Sequence, residues 1–293
     1  MLRLAVFIVL ATWLSPDVFA QTIHPRFLSN GEQIVFYNRT GESASVEIID
    51  LESGEHSVLL ADEGYYGNPG YIADSEDIIL AGSTDGMRGS WELYRLGTDA
   101  SLTALTETPE REIHPSSDSD GRRIAFVRFI DTGAHLFLLD ISTNVETQLT
   151  DGVSQHFHPK FSADGEWLYF DRTLEENTGI YRIRLSDGDV QPVIVMDGAD
   201  ERATSPSLSP DGVSLAYSRR DNVGNHLVIH NLETGHEDVP VTTLGGVGGP
   251  HWSPEGNRLV FHRQLESGYQ IEMLDVRNGE IEVLVPAPVG SGD

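Results

Sequence analysis

One phrase recurs six times along this chain, and no other feature limits its fold as strongly. It stands at His24-Pro25-Arg26-Phe27, Asn68-Pro69-Gly70-Tyr71, His114-Pro115-Ser116-Ser117, His158-Pro159-Lys160-Phe161, Ser205-Pro206-Ser207-Leu208 and Gly249-Pro250-His251-Trp252. Successive copies lie 44, 46, 44, 47 and 44 residues apart. Five places after each Pro comes an acid or amide: Asn30, Asp74, Asp120, Asp164, Asp211 or Glu255. Gly follows it in every copy except the second, where Ser75 stands. That pair suits a tight hairpin turn, because Gly accepts a positive φ without a Cβ clash. Beyond the turn, apolar residues alternate as in a strand, for example Ile124 and Phe126 or Leu215 and Tyr217. A third strand and a short fourth follow in each copy, and no window keeps a 3.6-residue apolar period.

Four short strands in about 45 residues match the blade of a β-propeller. One such sheet cannot cover both of its faces, so the copies are expected to pack side by side around an axis. The expected fold is all-β: a six-bladed β-propeller with four antiparallel strands per blade, spanning residues 21–288, followed by a loose tail at 289–293. The 293 residues would otherwise suggest two domains. Each copy carries its own inner and outer strands, so closure is expected to rest on packing between blades.

The first twenty residues read as an address. Arg3 precedes the apolar run Leu4 to Leu14, and Val18-Phe19-Ala20 supplies small residues before a cut at Gln21. A cleavable signal peptide over residues 1–20, cut after Ala20, is expected in preference to an anchor, since the apolar run is half of what a membrane helix needs. The chain has no cysteine, which removes disulfides, thiolate metal sites, a Cys nucleophile and a lipidated N-terminal Cys together. A periplasmic or secreted monomer with no direct membrane insertion fits these features. With 46 acidic against 19 basic residues the net charge is −27, which argues against nucleic acid as a partner. Among those basic residues only Lys160 is a lysine.

The stretch Ser205-Pro206-Ser207-Leu208-Ser209-Pro210-Asp211-Gly212, with Leu215-Ala216-Tyr217-Ser218-Arg219 after it, resembles the repeat of TolB-type propellers. So does Gly249 to Gly256 with Leu259 to Arg263, and His158 to Gly165 is similar. The resemblance implies a periplasmic propeller of the Tol–Pal envelope system, whose partner is a protein or envelope component. Too few residues lie between Gln21 and the first copy for the N-terminal domain of that family, so the likeness is to its propeller. The repeat also resembles the propellers of serine peptidases and of oligogalacturonate lyases.

By the same resemblance, the residue before each Pro points to the central channel. This makes His24, Asn68, His114, His158 and Ser205, with His251 beside Gly249, the candidate binding residues. His156, His158 and His251 share a strand parity and form a candidate site for a divalent metal ion, as channel histidines hold manganese in the lyases. No cofactor is required for the scaffold role. The series Arg128, Arg172, Arg219 and Arg263 is expected to pair with third-strand acids such as Asp140 and Asp275. No G-x-S-x-G or H-E-x-x-H motif is present, which weighs against a hydrolase. The function expected is a non-catalytic binding scaffold, and the alternative is a metal-dependent carbohydrate-active enzyme.

Overall fold

The computed structural model describes residues 24–287 apart from 41–42, 62–63, 73–74, 86–88, 176 and 199. The expected signal peptide, the cut after Ala20, the tail at 289–293 and the turn acid Asp74 lie outside the described residues. Among the described residues there are twenty-four strands, β1 to β24, and no helix. They fall into six consecutive units of four, at 26–60, 65–104, 111–148, 155–194, 202–243 and 247–285. Within each unit the strands pair antiparallel in chain order, so each sheet is a meander. A single parallel pair, Thr178 with Arg202, links the fourth sheet to the fifth. The first and last sheets exchange no strand.

Burial explains why the units stand together. The second strand of each unit is apolar on both faces: Ile34, Phe36, Leu80, Ile124, Phe126, Phe170, Tyr217 and Phe261 are all fully buried. Strict alternation, expected from the sequence, describes the side-chain directions and not the burial. In β10 (Arg123–Ile130), Ile124 to Val127 are buried on both faces, whereas all of β12 (Val145–Gln148) is exposed. A strand covered on both sides needs a neighbouring unit on each side. Each large apolar side chain taken fully out of water contributes about 1.5–3 kcal/mol.

The contacts between units repeat. Arg123 donates from Nη2 to Gly165 O at 3.0 Å, and its guanidinium lies 5.3 Å from the Phe161 ring. Three units further on, Arg258 donates from Nη2 to Gly31 O at 2.7 Å and lies 5.3 Å from the Phe27 ring. The sixth unit thus holds the first as the third holds the fourth. Phe27, Ile34 and Phe36 share one core cluster with Val260 and Ile271, which places apolar contact across the same junction.

The turns form as the sequence indicates. Gly31, Gly121, Gly165, Gly212 and Gly256 have φ between 65° and 73°, and each N–H bonds the carbonyl three residues back. The Arg series meets expectation only at Arg263, whose partner Glu272 lies on the third strand of its unit, Gly268–Asp275. Arg128 joins Glu112 and Glu146, Arg219 joins Glu237, and Arg263 joins Glu272, while Arg172 donates to Ser154 Oγ at 3.0 Å. Register is the reason: Arg128 stands opposite His135, and Asp140 stands opposite Arg123. Asp140 accepts the Ser142 and Thr143 N–H groups instead, and Asp275 pairs with Arg277.

A second backbone device lies at the residue before Pro. Asn68, His114, His158, Ser205 and Gly249 have φ of 50°, 55°, 52°, 56° and 59°. The ladder to the second strand slips there, as between Phe157 and Lys160 or Thr204 and Ser207. Only Gly takes such a φ at no steric cost; for other residues it costs about 1–3 kcal/mol. Ser205→Gly should therefore leave stability within about 1 kcal/mol of wild type. Ser205→Val should cost about 1–3 kcal/mol, read from the urea midpoint. Equal midpoints for the two variants would mean that the position carries no strain.

Candidate functional site: the axis of the units

The slip before Pro decides which side chains share the axis, in two layers. The first layer holds the residue before Pro. His24 and His114 meet with ring centroids 5.8 Å apart, and His114 stacks on His158 at 4.0 Å. His262 joins them, its ring 6.0 Å from His24. Gly249 makes room for this: a Cβ there would lie 3.2 Å from His262 Nδ1 and 3.7 Å from His24 Nδ1. Asn68 and Ser205 share the positive φ of this layer.

Asp171 and His262 occupy the same repeat position, directly after the fully buried Phe170 and Phe261 of the second strand. Each bridges two units. The buried Asp171 carboxylate accepts His158 Nδ1–H at 2.7 Å within its own unit and Ser205 N–H at 3.0 Å from the next. Neither residue was singled out from the sequence. The available signal was their place: both polar at a position where Ala81 and Val127 stand in other copies.

The second layer holds the residue after Pro in every unit: Arg26, Gly70, Ser116, Lys160, Ser207 and His251. All six line one cavity of about 440 Å³, rimmed by residues at or near the turns of the other five units and by Tyr71 of the second. Arg26 is 8% exposed and donates from Nη1 to Pro25 O at 3.1 Å and Gly249 O at 3.2 Å. Burial brings its guanidinium down to about 10. Lys160 is pushed well below the ordinary lysine value by burial and then by the Arg26 charge.

The candidate metal ligands do not share surroundings. His158 Nδ1 is committed to Asp171. His251 Nδ1 accepts the Phe27 N–H at 3.2 Å in the second layer. His156 sits by His135 and Phe170, with Nδ1 3.2 Å from Thr150 Oγ1. The parity argument counted residues through Phe157, where the ladder slips, so His156 and His158 do not continue one face. Among the described residues no three His, Asp or Glu side chains converge as a metal-holding group. The residues present do not fit a manganese centre, and no metal chemistry is assigned to them. The Asp171–His158 pair is an oriented imidazole, but its ring faces a second imidazole in a stack instead of a nucleophile.

The geometry defines a β-propeller-type protein, and comparison with known proteins narrows the class. No family model matches the chain. The Tol–Pal system protein TolB of Alcanivorax borkumensis is 33% identical over 81 residues, covering 27% of this chain and 19% of TolB. The structure of TolB from Acinetobacter baumannii superposes with a TM-score of 0.74 at 17% identity, covering 85% of this chain and 62% of that one. An oligogalacturonate lyase in complex with manganese gives 0.64 at 13% identity, covering 94% and 80%. This chain spans about half or less of the length of the curated relatives it matches. Sequence and fold together support a TolB-like propeller at modest identity.

The axis makes stability depend on pH. Burial first, then nearby cations and imidazoles, hold His24 and His114 well below the ordinary value of 6.5. Unfolding frees these imidazoles to protonate, so below about pH 6.5 the unfolded state binds more protons than the native state. Stability is full above that pH and is lost as pH falls, by up to ~1.4 kcal/mol per pH unit for each such imidazole. Urea midpoints should drop between pH 7 and pH 5, and His24→Gln should flatten that slope. A wild-type midpoint that stays constant across the interval would contradict the assignment.

Proposed function

We propose that this protein is an exported, non-catalytic propeller scaffold of the cell envelope, in which the six four-stranded units close into a six-bladed ring. The observation that carries the proposal is that TolB-like architecture runs through all six units, with the junction of the sixth and first built like that of the third and fourth. The apolar N-terminal run supports a cleavable leader ending at Ala20, and the TolB likeness supports a periplasmic location. The ring presents the turns Leu28–Gly31, Asp118–Gly121, Ser162–Gly165, Ser209–Gly212 and Ser253–Gly256 at one mouth. Loops on a stiff scaffold of repeated units give a broad surface for a protein or envelope component. The propeller acts as a monomer, needs no cofactor, and takes no nucleic acid.

The lyase alternative would use channel histidines around a metal ion. His156, His158 and His251 have separate hydrogen-bond partners, so that reading draws only on the shared fold, which many unrelated activities use.

Affinity capture from envelope extract, competed by untagged protein, tests the proposal. We expect a defined envelope component retained at low and moderate salt, and an exported form whose N-terminus is Gln21. Recovery of nothing above background would contradict the scaffold role. Ultraviolet absorbance from unsaturated product on a polyuronide panel would replace it with the lyase reading.

A further inference from the structure

The second layer of the axis places two cations where the chain supplies no anion. Arg26 and Lys160 belong to the first and fourth units and line the same cavity, where the Arg26 charge adds to burial in lowering Lys160. Neither has a carboxylate within ion-pair distance among the described residues. Arg26 is more than nine-tenths buried; its Nη1 is held by two carbonyl oxygens, and its Nε has no hydrogen-bond partner. Among the described residues that line the cavity Asp118 is the one acid, and Arg123 already holds it through Nε at 2.7 Å. Buried charges in proteins are ordinarily paired, because desolvation disfavours a lone ion. Here a chain with 46 acidic residues and one lysine sets that lysine beside a buried arginine, away from its own carboxylates.

We propose that this cavity is a binding site for a small oxyanion-bearing ligand, which Arg26 and Lys160 hold between them while Ser116, Ser207 and His251 complete the wall. The ligand chemistry is a compact group with two or more anionic oxygens, carried by a carboxylate or a phosphate. The volume of about 440 Å³ lies within the range of small-molecule pockets and admits a group of metabolite size. Arg and Lys suit this task differently: the arginine is fixed by its carbonyl contacts, and the lysine is a mobile point charge. Ser116 and Ser207 are buried hydroxyls at the same repeat position, able to donate to an anion or accept from its hydroxyl groups. The lining is locally positive inside an acidic molecule, so it attracts an anion despite the net charge of −27. The inference rests on the cavity and not on a protein partner, so failure of affinity capture leaves it standing, and the reverse also holds.

The test is calorimetry and thermal melting of the purified protein at low ionic strength, with inorganic phosphate, succinate and, as a neutral control, glucose. One of the anions should bind with 1:1 stoichiometry and raise the melting temperature, and glucose should do neither. Phosphate binding without succinate binding assigns the phosphate source, and the converse assigns the carboxylate. Lys160→Gln should weaken the anion at least tenfold while raising the melting temperature of the ligand-free protein, because it removes a charge that faces another cation. Lys160→Arg should retain binding, which separates loss of charge from loss of fold. Absence of heat and of melting shift with both anions would overturn the proposal. So would anion binding that Lys160→Gln leaves unchanged.

Discussion

The structure depends on one constraint: a four-stranded sheet whose second strand is apolar on both faces has no stable place except between two copies of itself. Every unit therefore needs a neighbour on each side, and the first and sixth units meet that need in each other. The contacts at this junction repeat those found inside the chain. An arginine at the first position of the second strand crosses to the next unit, lies over an aromatic ring and bonds the carbonyl of the turn glycine. Arg123 does so between the third and fourth units, and Arg258 does so between the sixth and first. No strand is shared between the first and last sheets, so side-chain contact is what joins them.

The axis inherits its chemistry from that arrangement. Because the ladder slips at the residue before Pro, two successive inward positions become distinct layers. One gathers imidazoles, oriented by Asp171 and by the space that Gly249 leaves for His262. The other gathers Arg26, Lys160 and His251 around a cavity. Four non-glycine residues keep a positive φ to maintain this geometry. Strain held at repeated positions beside a cavity is the pattern expected of a site whose layout is retained at some cost to stability.

Much of the fold was legible in the sequence, and the reason is repetition. Turn glycines at Gly31, Gly121, Gly165, Gly212 and Gly256, the apolar second strands and the 44–47-residue interval each report the same unit six times over. The site was legible only in part. Placing His24, His114 and His158 together needed only the repeat position, and the structure brings those three rings together. Grouping His156 with His158 assumed an unbroken strand, and the slip between Phe157 and Lys160 undoes that count. His262 and Asp171 were harder to read because each also acts on the neighbouring unit, His262 against His24 and Asp171 at Ser205 N–H. The partners of Arg128, Arg172 and Arg219 were missed for a related reason: pairing depends on register, which the hydrophobic pattern of a strand buried on both faces leaves unspecified. Lys160 was visible as the sole lysine, but its proximity to Arg26, three units away, emerges only once the units are packed.

Everything said of the axis requires that the first and sixth units touch. The chain has no cysteine, so labels can be introduced singly and cleanly. Asn30 and Glu255 are exposed turn residues on the two sides of the junction, beside the place where a Cβ on Gly31 would come within 2.5 Å of Glu255 Oε1. Pulsed electron–electron resonance between spin labels on Asn30→Cys and Glu255→Cys measures their separation directly. The account predicts one narrow population at the short-distance limit of the method, while a long or broad distribution would contradict it.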